Sequence, residues 1–168
     1  LLPWLTLPAA FVLDALIGDP PSLPHPIRWM GRAIEQSEPF WRRTVASERL
    51  AGLLFAASLI LGCWLLALMV TGLAWKVHSL FGFAVETVLL FYCLSAKSLR
   101  QAALEIDRLL AAGEVDRARA RVRMIVGRDV DRYGADDIAR ATVETVAENV
   151  VDGVLSPLFF AAQGGAPL

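Results

Sequence analysis

The chain has 168 residues, of which 56% are hydrophobic, and a mean hydropathy of +0.52; ordinary soluble domains carry about 45–50% apolar residues. Sixteen Lys and Arg against seventeen Asp and Glu leave a net charge of −1, so there is no general basic field and nucleic-acid binding is not expected.

Residues 1–17 are apolar apart from Asp14, with Pro3 and Pro8 expected to break the start of a first, imperfect membrane helix. No basic n-region precedes them, so they are not read as a cleaved signal. The stretch from Gly18 to Pro26 is dense in Pro and Gly and predicts a rigid, mostly extended loop. Residues 27–49 predict a short amphipathic helix followed by a basic flank of Arg42, Arg43 and Arg49. Leu50 to Trp75 contains 26 residues and no charge, which is more than the about 20 apolar residues that span a bilayer. A short link, 76–79, leads to a return span over 80–96 that carries one acid, Glu86. Cys63 and Cys93 lie in these apolar segments without metal-type spacing, and are expected to be inert buried thiols.

Residues 97–112 place Leu99, Ala103, Ile106, Leu109 and Leu110 at helical spacing, and Gly113 supplies a stop. Asp116 to Val126 predicts a second helix, rich in Arg (117, 119, 121 and 123), whose run reads as a solvated face. Asp136 or Asp137 is placed to cap a third helix, which runs through Thr145 towards Val151. The apolar run 154–162 begins another approach to the membrane.

Fifteen of the sixteen basic residues fall in 18–49 and 97–150. The positive-inside bias puts both stretches on the cytoplasmic side. The expectation is an all-α, polytopic membrane protein forming a single membrane domain. Its spans are about 1–17, 50–75 and 80–96, with the start of another at 154–168. The absence of an initial Met and the apolar end at Leu168 suggest a piece of a longer protein.

Three groups of residues carry the chemistry. Glu144, Glu148 and Asp152 are spaced i, i+4 and i+8, so an unbroken α-helix stacks them on one stripe. Three carboxylates on one stripe invite a cation, and oxygen ligands of this kind suit Mg²⁺ with bound phosphates; the plainer reading is a solvated acidic face near Arg140. Asn149 lies beside that stripe. The Pro-stiffened loop holds Asp19, His25 and Arg28 in fixed relation, either as a preorganised binding element or as a structural turn. Arg128, in Gly127-Arg128-Asp129, can grip a phosphate or carboxylate in a bidentate fork, or pair locally with Asp129. Glu86 is functional by default as an acid inside a span. His78 and Asp14 receive no role.

The ordered set Asp14, Gly18-Asp19-Pro20-Pro21, His25-Pro26 and Arg28, then Val126-Gly127-Arg128-Asp129, then Glu144-Thr145-Val146-Ala147-Glu148-Asn149 with Asp152-Gly153 and Pro157-Leu158-Phe159, resembles the CobD/CbiB family of cobalamin-biosynthesis membrane proteins, the adenosylcobinamide-phosphate synthases. The likeness runs across nearly the whole chain, although family members are longer. Val130 stands where the family commonly has Thr, and Tyr133 where Leu is usual.

The resemblance implies amide attachment of aminopropanol, or its phosphate, to a propionate carboxyl of adenosylcobyric acid, at the bacterial cytoplasmic membrane. ATP and Mg²⁺ are the expected cofactors; a corrinoid, an amino-alcohol and membrane lipid are the expected partners. The implied roles are Glu144, Glu148 and Asp152 holding Mg²⁺, and Arg28 and Arg128, with Asn149, binding substrate. Asp19, His25 and Asp129 handle the amine, which must be neutral to attack. The alternatives are an AmpE-like membrane sensor without catalysis and a transporter subunit using Glu86 and Asp14.

Overall fold

The computed structural model describes residues 2–19 and 26–167, and among them every regular element is helical. The chain forms two compact units. The first comprises Leu1–Ala10, Pro20–Tyr92 and Phe160–Leu168, and the second Phe11–Asp19 and Cys93–Phe159.

Helix α1 (Leu2–Ile17) runs from the first unit into the second. The break expected at Pro8 does not occur. Pro8 deprives only the Trp4 carbonyl of its helical partner, and one bond lost in the first turn does not end the helix.

Helix α2 (Pro26–Thr44) begins on a proline, whose fixed φ suits a helix start, and has no buried residue. It extends through Arg42 and Arg43, and Arg49 falls in the first turn of the next helix, so all three residues of the expected basic flank are helical. Arg42 donates from Nε to Glu38 Oε1 at 2.8 Å, one turn back.

Helix α3 (Glu48–Val77) is 30 residues long, with only Ala51, Thr71 and Ala74 buried. Large apolar side chains such as Leu53, Ile60, Leu65 and Leu73 are exposed along it. A helix that is apolar all round is suited to a core or a membrane; α3 is long and apolar enough to cross a membrane. At 1.5 Å per residue it measures about 45 Å. Cys63 and Cys93 are exposed rather than buried: Cys63 lies on the little-buried α3, and Cys93 lies on the open side of a segment whose Leu90, Phe91 and Leu94 are buried.

His78 separates α3 from α4 (Ser79–Cys93), and its Nδ1 accepts the Leu80 N–H at 3.1 Å. Gly82 lies against Trp75, where any Cβ would strike the indole. Glu86 is buried, at 7% exposure. Its Oε2 accepts from Trp75 Nε1 at 2.9 Å and its Oε1 from the Ala166 N–H at 3.2 Å. The apolar stretch continues in composition from Ser79 to Ala111, but the helix breaks at Leu94 and Ser95. Helix α4 alone, 15 residues, spans about 22 Å.

In the second unit, α5 (Ala96–Ala111), α6 (Val115–Arg123) and α7 (Ala135–Val150) pack around Ile106, Ala118, Val122, Val130, Ile138 and Ala141. The α5–α6 corner closes as a Schellman motif: Glu114 N–H reaches Leu109 O, Gly113 N–H reaches Leu110 O, and Gly113 takes φ +74. Helix α6 ends at Arg123, three residues short of expectation, because Met124 and Ile125 form a turn instead.

The Arg run is not a free solvated face. Arg117 pairs with Glu114, Arg121 with Glu105 at 2.6 Å, and Arg123 with Asp131. Arg119 reaches Asp116 at 2.6 Å and forks onto the Tyr133 carbonyl at 3.0 and 2.8 Å. Helix α7 is capped from Gly134 rather than from Asp136 or Asp137. Asp137 sits at the third helical position and its Oδ2 accepts the Gly134 N–H at 3.3 Å, one half of a capping box. A π turn (Val151–Leu155) follows α7, and α8 (Ser156–Gly164) carries the chain back into the first unit.

Candidate active site

The second unit ties two distant family-like segments to the first turn of α5. Ser95 is the N-cap of α5, but its hydroxyl makes no capping bond, so the orphan N–H groups of that turn need another acceptor. Asp14 supplies it from α1: its Oδ2 accepts the Lys97 N–H at 3.1 Å. Asp14 is 1% exposed, and its Oδ1 has no partner among the described residues. In return Lys97 Nζ donates at 2.5 Å to the Leu16 carbonyl in the last turn of α1. Gly18 ends α1 in the left-handed region, φ +70, with its N–H on Asp14 O at 2.8 Å. A Cβ there would come within 2.9 Å of Lys97 Cδ. Asp19 leaves this corner exposed to solvent.

The same turn holds the far end of α7. Ser95 N–H donates to the Gly153 carbonyl at 3.0 Å, and its hydroxyl donates to the same oxygen at 3.3 Å. In an α-helix the Gly153 carbonyl would bond to residue 157, but that residue is Pro157 and has no N–H. The helix relaxes into the wider π register there, with Ser156 N–H on Val151 O, and Ser95 takes the released carbonyl. Gly153 leaves room for this hydroxyl, since a Cβ there would push Ser95 Oγ aside.

The expected acidic stripe runs into this departure from α geometry. Glu144 and Glu148 lie on α7, but Asp152 lies inside the π turn, which rotates each residue less far about the axis than an α turn does. Among the described residues no three His, Cys, Asp or Glu side chains converge to hold a metal ion. Glu144 Oε2 instead accepts from Arg128 Nη2 at 3.3 Å, both side chains being about half exposed; an exposed pair of this kind contributes about 0–1 kcal/mol. Glu148 and Asp152 are exposed and have no hydrogen-bond or ion-pair partner among the described residues. Asp129 Oδ1 accepts the Asp131 N–H at 2.9 Å, closing a local turn. Asn149 Nδ2 donates back to Thr145 O at 2.8 Å. Arg28 is exposed in the first turn of α2 and belongs to the first unit. His25 and the prolines before it lie outside the described residues.

The family model described as CobD/Cbib protein matches residues 7–168. The chain belongs to the CobD/CbiB family. It is 42% identical to the Klebsiella pneumoniae protein named cobalamin biosynthesis protein CobD, covering 95% of this chain and 51% of the relative. To cobalamin biosynthesis protein CbiB of Salmonella typhimurium it is 41% identical, over 95% of this chain and 51% of the relative. To the Clostridium perfringens CobD protein it is 38% identical, over 94% and 50%. The chain thus spans about half the length of these curated relatives. No solved structure matches it.

Reading the sequence missed Asp14 as a helix cap, and it missed Ser95 and Lys97 altogether. For Asp14 the signal was present: an acid inside an apolar helix demands a partner. For Ser95 and Lys97 no local pattern marks a junction whose partners lie 58 and 83 residues away. Val130, at the position where the family resemblance calls for Thr, is fully buried in the three-helix core. Its apolar side chain is satisfied there and does no site chemistry.

Proposed function

We propose that this chain is part of a multi-pass enzyme of the bacterial cytoplasmic membrane that acts in cobalamin biosynthesis. It would join aminopropanol, or its phosphate, in amide linkage to a propionate carboxyl of adenosylcobyric acid. Membership of the CobD/CbiB family supports the pathway. The single structural observation that supports a site is the α5 first turn, which anchors the Gly18-Asp19 corner and the Asp152-Gly153 turn together.

Amide formation from a carboxylate requires activation, which ATP with Mg²⁺ supplies when bound. The donor set suits such a metal only in one form. Mg²⁺ ordinarily takes one or two carboxylates, several waters and substrate phosphates rather than an all-protein cage. Glu148 and Asp152 are the exposed oxygen donors available to it. Arg128, already placed against Glu144, would exchange that weak pair for a phosphate or carboxylate, which its fork fits better. Asp19 would accept the proton the amine must shed before its nitrogen bonds to the carbonyl carbon and the activating group leaves. Asp129 and Asn149 flank the same helix start and end as polar contacts for substrate.

The transporter alternative loses its principal residue, since both Glu86 oxygens are bonded within the first unit. The test is complementation, with the complete protein, of a strain unable to convert cobyric acid to cobinamide. Growth with the wild type and none with Glu148→Gln is expected. Full growth with that variant removes the acidic residues from the mechanism, and failure of the wild type removes the reaction.

A further inference from the structure

The chemistry proposed above uses neither Ser95, Gly153 nor Pro157, yet these three residues form one device. Pro157 has no N–H for the Gly153 carbonyl. Ser95 captures that carbonyl with two donors, at 3.0 and 3.3 Å. Gly153 leaves the space that Ser95 Oγ occupies. Two residues further on, Lys97 receives Asp14 and closes on Leu16 O. One turn of helix therefore sets both the exit of Asp19 from α1 and the rotation of Asp152 relative to Glu148.

We infer that Ser95 is a positioning residue: by holding the carbonyl that Pro157 releases, it keeps α7 in its π turn and so fixes Asp152 in the same frame as the Asp19 corner. A proline that removes a bond and a serine that replaces it are a costly way merely to continue a helix. An ordinary residue at 157 would satisfy Gly153 without help. What the arrangement adds is a defined break in phase next to an unpaired acid, and π turns of this kind are frequent at functional sites. The activity readout below rests on the proposed function; the structural readout does not.

The experiment uses the complete protein in detergent or proteoliposomes. Pro157→Ala gives Gly153 an α-helical partner and frees Ser95. A purely structural role predicts unchanged or raised thermal stability with unchanged kcat. Positioning predicts intact folding, a KM for the corrinoid within about threefold, and kcat reduced about a hundredfold, the loss that follows a displacement of about 1 Å at a reacting group. Gly153→Ala, which forces the Ser95 hydroxyl aside, and Ser95→Ala, which removes it, should each lower kcat in the same way.

Independently of activity, amide hydrogen exchange at Ser95 should quicken at least about tenfold in Pro157→Ala, since its N–H loses the Gly153 oxygen. Wild-type kcat in Pro157→Ala, or in Ser95→Ala, overturns the positioning role. Unchanged exchange at Ser95 overturns the coupling itself. An inactive wild-type protein would sink the proposed function and leave the exchange comparison to decide the coupling.

Discussion

Lys97 and Asp14 each terminate the other's helix. The Asp14 carboxylate accepts the Lys97 N–H at the start of α5, and the Lys97 ammonium donates to the Leu16 carbonyl at the end of α1. A buried side chain thus does at long range what a local Ser or Asp does at most helix starts.

Asp14→Ala should destabilise the second unit by about 1–2 kcal/mol, the cost of losing a helix cap, with an added penalty from burying free N–H groups. Asp14→Asn retains an acceptor and should cost less than half as much. Thermal unfolding in detergent, followed by protease cleavage after residue 17, measures both. Equal losses in the two variants would mean that charge, not acceptance, is what α5 needs.

Gly18→Ala should cost about 1–2 kcal/mol from its left-handed backbone alone. The contact with the Lys97 side chain adds to this, but that chain can swing away. Truncating the neighbour in Lys97→Ala/Gly18→Ala should therefore leave the backbone cost in place. Measured unfolding free energies should show less than additive loss for the pair.

Glu86→Leu removes acceptors for both Trp75 and Ala166, and should destabilise the first unit by about 2–3 kcal/mol, in the range for buried donors left unsatisfied. Glu86→Gln keeps the Trp75 bond and should preserve complementation. Loss of complementation by a stably inserted Glu86→Gln protein would restore a functional role to this acid.

Arg119→Lys should lower stability by about 1 kcal/mol, because an ammonium cannot reproduce the guanidinium fork on the Tyr133 carbonyl. Arg117→Lys, at a surface pair, should change it by less than about 0.5 kcal/mol. The difference between the two, read by chemical denaturation, distinguishes an Arg run used for folding from one used for lipid or substrate.

Helical periodicity made α5 legible, the acids at 136 and 137 marked the start of α7, and an uncharged apolar run made α3 unmistakable, because these signals are local. Gly113 announced the α5 stop for the same reason. The Pro8 break and the length of α6 were misread, since a single missing bond or a two-residue turn is decided by packing rather than propensity. The π turn under Asp152 was not legible from the acidic spacing, because its cause lies outside that spacing: Pro157 alters the helix four residues upstream. Gly18, Gly153 and Pro157 stood in the family-like pattern without an evident task. Their tasks appear only beside Lys97 and Ser95, which come from a different part of the chain.

The unequal lengths of α3 and α4 carry a consequence for the surrounding lipid. Segments of about 45 and about 22 Å cannot both match a hydrocarbon layer of about 30 Å. In a bilayer α3 would lean or project beyond it, while acyl chains beside α4 would compress. Turnover in proteoliposomes should then depend on acyl-chain length, with short-chain phosphatidylcholine supporting it best.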